Sequence, residues 1–367
     1  MHATMSETSP NPSWGAFDRR PSLPPSYWGA QADALHHHML LERCFDGREA
    51  RWSDALIART RRHVGGCVSA VEMGLRMALD PIAVSELSLA DAVPQDYCWR
   101  AVQHKPAILS ASLLRHFRDR AALSLMGQEA ADIPPSMAEI EQDQDFPSDA
   151  AQSLASLSFI LAGWRDTSPD HIAMRPDLPA EMMQDLVWTC AALMTQALVR
   201  TDLVPVQEAV ALVQRAGHAV LERYDEQHSP FALAPLFALQ MRAVPAEEER
   251  LLTLARGQHV MALLAIAAER NGIEIKHVIS SVVEGVERDI FTLCRAADFP
   301  REVAVRLVLG RRIVSRGVKD KVLVDYADQY EAKSCEEARG AVLNLSLDEI
   351  FRDRLNELGR WESRHDG

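Results

Sequence analysis

The sequence predicts an all-α protein, an α-solenoid-like stack of short helix pairs preceded by a disordered N-terminal arm. Three observations carry this expectation. Apolar residues recur at spacings of three and four through most of the chain. Alanine and leucine are abundant while aromatic residues make up only 6%, a mix that favours helices because these side chains lose little freedom in them. A helix–turn–helix pattern also returns at a fixed offset in the last third of the chain, the mark of a solenoid.

The elements follow in order. The 367 residues, 47% hydrophobic and 25% charged, suffice for two or three ordinary globular domains. Residues 1–29 carry prolines at 10, 12, 21, 24 and 25 among polar residues and read as a disordered arm. An N-terminal helical domain spans 30–126. In it "GCVSAVEMGLRMALDP" places Val68, Val71, Leu75 and Leu79 on one face and stops at Asp80–Pro81. Gly65–Gly66, just upstream, reads as a break between helical segments. "PAILSASLLRHF" sets Ile108, Leu109, Leu113 and Phe117 on one side, with Pro106 at the start.

Residues 127–150 are acidic and proline-broken, a linker. A central helical segment, 151–228, holds helices near 151–162, 180–200 and 205–224. Helix-pair repeats occupy 229–345, and a C-terminal helix and tail 346–367. Within the repeats, "GQHVMALLAIAAERNGIEIKHVISSVVE" from Gly257 lies over "GVERDIFTLCRAADFPREVAVRLVLGRR" from Gly285 at an offset of 28. Ala262 then meets Ile290, Ile266 meets Cys294 and Ile279 meets Leu307. The break at Asn271–Gly272 meets that at Phe299–Pro300. A looser unit starts at Ser229 and a fourth at Gly317. "KVLVDY" and "AVLNLSL" are read as helix or loop.

"WRAVQHKPAILSASLLRHFRDRAAL" at 99–123 and "FTLCRAADFPREVAVRLVL" at 291–309 resemble a bacterial, mostly alphaproteobacterial, family catalogued as domain of unknown function 2336. The likeness covers roughly residues 90–320. It implies a HEAT-like helical-repeat fold and no settled activity, and it brings no catalytic residues to positions of this chain.

No motif declares a chemistry. His36, His37 and His38 would point about 100° apart on a helix, so they do not converge on one ion. Phosphate-cradling glycine loops and the common hydrolase and zinc-protease signatures are absent from the sequence. His104, beside Lys105 and Pro106, reads as a polar residue near a helix start. The six cysteines are dispersed, with no C-x-x-C pair, and read as reduced thiols. No cofactor or metal is expected. The net charge of −13 argues against nucleic acid as the main partner. No apolar stretch reaches the length of a bilayer span, and the expected location is the cytoplasm.

Charge supplies the one local anomaly. Between 301 and 321, Arg301, Arg306, Arg311, Arg312, Arg316, Lys319 and Lys321 face only Glu302 and Asp320. On a helix over 300–316, Arg301, Arg312 and Arg316 would share a narrow face, and arginine forks suit carboxylates or phosphates. The expectation is a non-catalytic interaction or regulatory scaffold. It would bind a protein or peptide partner, an acidic one, through Arg301, Arg306, Arg311, Arg312, Arg316 and Lys319. The alternatives are an enzyme whose site is assembled only in the fold, and a weak nucleic-acid binder through the same patch.

Overall fold

The computed structural model describes residues 52–79, 89–128, 146–242, 248–315 and 320–347, with positions 351 and 355. The arm at 1–29, the His36–His38 run, Arg316, Lys319, most of the acidic linker and most of the C-terminal tail lie outside the described residues. Among the described residues every extended element is a helix, and β structure is limited to one isolated antiparallel bridge between Trp52 and Ser315.

The central element is α1, Asp54–Leu79. Its expected stripe of Val68, Val71, Leu75 and Leu79 is buried, and the helix ends where Asp80–Pro81 follows. The pair Gly65–Gly66 is not a break, because α1 runs straight through it. These glycines let another segment approach. A Cβ on Gly65 would stand 2.4 Å from the Asp170 carbonyl oxygen, and one on Gly66 would stand 2.6 Å from the Met174 side chain. The Met174 N–H donates to the Gly66 carbonyl at 2.8 Å.

Helices α2, Leu89–Ala92, and α3, Tyr97–His104, follow. Glu72 of α1 accepts from the Tyr97 and Cys98 N–H groups at 3.2 and 2.8 Å and also pairs with Arg76 at 2.6 Å. It thus supplies the partner and the negative charge that a helix N-terminus wants. His104 closes α3 and does not begin a helix. Pro106–Ile108 form a single 3-10 turn. The helix α4, Ala111–Met126, starts later, at Ser110, whose hydroxyl accepts from Leu113 N–H. Helices α5 (Ser148–Gly163), α6 (Ala180–Val199) and α7 (Val206–Glu222) each begin immediately after a proline, whose fixed φ favours a helix start.

The remaining helices are α8 (Pro230–Arg242), α9 (Glu248–Arg256), α10 (Val260–Asn271), α11 (Ile275–Glu284), α12 (Glu287–Ala296), α13 (Arg301–Arg311), α14 (Asp320–Gln329) and α15 (Cys335–Val342). The pairs α10–α11 and α12–α13 stack with α10 against α12, and α14 and α15 lie on α12 in turn. Their equivalence shows best in the caps. Gly272 (φ 63°) and Asp298 (φ 54°) both sit in the left-handed region. Ile273 N–H donates to Ala268 O and Phe299 N–H to Cys294 O, both at 2.9 Å, the six-to-one bond of a Schellman ending. Gly272 therefore matches Asp298, so the structural offset is 26 (298 − 272), two residues shorter than the offset of 28 expected from the sequence. Ile273 and Phe299 then occupy the same position, and both are buried.

The packing does not follow one line of repeats. Helix α1 touches α3, α4, α6 and α7, while α4 also packs on α10, α11 and α13. One continuous apolar core runs from Trp52 to Leu345, so it crosses the divisions at 126 and 228 without a gap.

Candidate functional site

Among the described residues, the cations expected to form one partner-binding face do not all point the same way. Helix α13 ends at Arg311, and residues 312–314 turn so that Ser315 reaches Trp52. The face on which Arg316 was to continue the row therefore does not extend that far. Arg311 is buried at 6% exposure. It donates to Glu287 at 2.8 Å and to the Gly285 carbonyl, joining the end of α13 to the start of α12. Burial pulls its pKa down and Glu287 opposes this. Arg306 pairs along its own helix with Glu302 at 3.0 Å, and Arg312 pairs with Asp320. Arg301 stands exposed at the first position of α13.

Between α12, α13 and α14 lies an apolar groove of about 190 Å³. Phe291 forms its floor, Val305, Val308 and Leu309 one wall, and Leu323, Val324 and Ala327 the other, with Arg312 and Asp320 at one end. Leu309 and Val324, 42% and 57% exposed, form its apolar lips. Arg301 lies one turn before Val305 on the same helical face. Arg301 and Arg312 thus bracket the wall that α13 contributes.

Sequence reasoning missed a buried ionic network between α1, α4 and the segment 164–177. The carbonyl of Trp164 accepts from Arg59 (3.0 Å), His63 Nε2 (2.9 Å) and Ser124 (2.8 Å). Arg62 donates to Ile172 O at 2.8 Å and pairs with Asp166 at 2.6 Å. Arg120, fully buried, donates to the carbonyls of Arg175 and Pro176 and lies over the Trp164 ring at 4.7 Å. Arg118, also fully buried, bridges Asp119 (2.5 Å) and Glu284 and faces the Trp52 ring. The signal that could have found it is "RHFRDR", four charged positions inside a stretch that the apolar pattern already buries.

The environment shifts these groups. Burial, reinforced by Arg120, holds the His116 imidazole down to about 3 and His63 well below its usual range, so both are neutral. Burial lifts Asp119 to about 6 against the pull of Arg118, with Glu284 adding to the rise. Burial likewise raises the Cys67 thiol. Perturbed groups often mark active sites, but structural ion pairs perturb them too. Here the donors end on backbone carbonyls that fix the 164–177 segment against α1 and α4. The network's chemistry is that of a clamp.

Among the described residues no group of three or more histidine, cysteine or carboxylate side chains is placed to hold a metal ion, and no helix is long and apolar enough to cross a membrane. The described cysteines are free thiols, four of them buried. No protein-family model, curated protein or solved structure matches this chain.

Proposed function

We propose that this protein is a non-catalytic interaction scaffold that docks a partner protein through the groove between α12, α13 and α14. The observation that carries this reading is the groove's make-up: an apolar trough with exposed Leu309 and Val324 as lips, the Arg312–Asp320 ion pair at one end and exposed Arg301 one turn before Val305 at the other. A trough of this kind suits the apolar ridge of an amphipathic helix. Arg301, exposed at one end, favours a helix that carries carboxylates beside its ridge. The stacked helix pairs supply the rigid surface. The resemblance of 99–123 and 291–309 to a bacterial helical-repeat family points the same way, and a cytoplasmic location belongs to the same proposal.

The test places a photo-crosslinking residue at position 309 and, as a control, at exposed Leu236 on α8. A partner captured at 309 and not at 236 is purified and titrated against the parent, Leu309→Glu and Arg301→Glu. The expected losses are about tenfold or more for Leu309→Glu and several-fold for Arg301→Glu. Capture at both positions alike, or affinity unchanged in Leu309→Glu, refutes docking in this groove.

A further inference from the structure

A second surface feature, remote in sequence from that groove, is a cleft of about 560 Å³ between α3 and α6. Tyr97, Arg100, Ala101 and His104 line it from α3 at the i, i+3, i+4, i+7 spacing of one helical face. Lys105 and Ile108 follow, and Leu193, Gln196 and Arg200 form the opposite wall from α6 and its C-cap. Among the described residues the lining holds three permanent cations and a histidine but no carboxylate, within a chain whose net charge is −13.

The state of these cations matters more than their number. Arg100 donates to the Gln95 carbonyl, and Arg200 to the Tyr97 hydroxyl at 3.3 Å. Neither these arginines nor Lys105 pairs with a carboxylate among the described residues, in contrast to Arg118, Arg306, Arg311 and Arg312. All three side chains are exposed and line the cleft. His104 Nδ1 contacts the Arg100 carbonyl at 2.7 Å, which orients the ring and leaves Nε2 for another partner. Like charges gathered without a counterion repel one another, and a bound anion relieves that repulsion. Pro94, Ile108 and Leu193 give the same cleft an apolar side.

We infer that this cleft is a binding site for a small phosphorylated molecule. Its phosphoryl oxygens would be held by Arg100, Arg200 and Lys105, and its organic body would lie on Ile108 and Leu193. Planar guanidinium forks match phosphoryl oxygens two at a time, and the ammonium adds a point charge. The volume falls inside the range of about 300–1,000 Å³ common to small-molecule sites. A phosphoryl group is preferred over a lone carboxylate because three cations line one cleft, where one carboxylate would neutralise only one of them.

The test is calorimetric titration of the whole protein with inorganic pyrophosphate, and with citrate as a carboxylate of comparable charge. It is repeated on the Arg100→Gln/Arg200→Gln double variant and on Lys105→Gln. All three side chains are exposed, and retained folding is checked by circular dichroism. The expected result is pyrophosphate binding that weakens by about tenfold or more in the double variant and several-fold in Lys105→Gln, with citrate weaker throughout. No pyrophosphate binding at millimolar concentration overturns the inference. So does binding that survives both variants, and citrate binding as tight as pyrophosphate overturns the phosphoryl assignment.

Discussion

Lowering the pH from 7 to 5 should draw on stability through two imidazoles that the fold keeps neutral, about 2 kcal/mol of it through His116 alone. His116 is nearly sealed, packs on the Phe231 ring at 4.5 Å and faces Arg120, so its pKa falls from 6.5 to about 3. His63 is fully buried and donates to Trp164 O, and its pKa also lies well below 6.5. In the unfolded chain both imidazoles bind a proton near 6.5. A depressed pKa gives stability that is present above the unfolded value and lost as the pH falls below it. Between pH 7 and 5 His116 therefore withdraws about 2 kcal/mol, and His63 acts in the same direction. Asp119 works in the opposite sense. Burial raises it from 3.8 to about 6, so the folded state takes up its proton first, and acidification returns about 1.3 kcal/mol in the same window. Asp166, held at about 2 chiefly by Ser168, titrates below the window. The assay is urea unfolding at the two pH values, comparing the parent with His116→Leu. The variant should lose about 2 kcal/mol less than the parent over the interval, whatever its stability at pH 7. An equal loss in both proteins, or an NMR titration of His116 near 6.5 in the folded state, refutes the reasoning.

Three further outcomes follow from the packing. Arg118→Met leaves Asp119 and Glu284 as buried carboxylates without their shared cation and should cost about 3–5 kcal/mol by chemical unfolding; a cost below 1 would show that the bridge is not formed. Gly65→Ala, which meets the Asp170 carbonyl at 2.4 Å, should destabilise by about 1–3 kcal/mol. Gly163→Ala on α5, with nothing within 4 Å of the new methyl, should instead stabilise by a few tenths to about 1 kcal/mol, so the two thermal shifts have opposite sign. Ser110→Ala removes the α4 cap and the 2.6 Å bond to Asp185 and should cost about 1–2 kcal/mol in urea.

Much of the fold was legible because local rules decide it. The stripe from Val68 to Leu79 needed a partner face, and prolines 147, 179, 205 and 300 mark where four helices begin. Two local readings failed, each for its own reason. Gly65–Gly66 looked like punctuation, yet a continuous helix satisfies its backbone while the bare Cα atoms admit the 170–174 segment. The repeat offset was two residues long because apolar residues at spacings of three and four align nearly as well in a neighbouring register. The left-handed residue fixes the true one, and at Asp298 that residue is not glycine.

The site was less legible, since charge density along a chain does not say where each charge points. Counting cations from 301 to 321 could not show that Arg311 turns inward to Glu287 while Arg301 stays outside. Only five of the 39 basic residues are lysine, and the buried positions show what arginine does that lysine would not. Arg120 reaches two successive carbonyls and stacks on an indole at once, and Arg118 joins two carboxylates from α4 and α11 beneath a second indole. A planar five-donor group can satisfy several acceptors within a dry core, whereas a compact ammonium holds its hydration more strongly. The inward arginines are therefore mortar between α1, α4, α11 and the 164–177 segment. Function is to be sought where exposed guanidinium groups pair with no carboxylate among the described residues, at Arg301, Arg100 and Arg200.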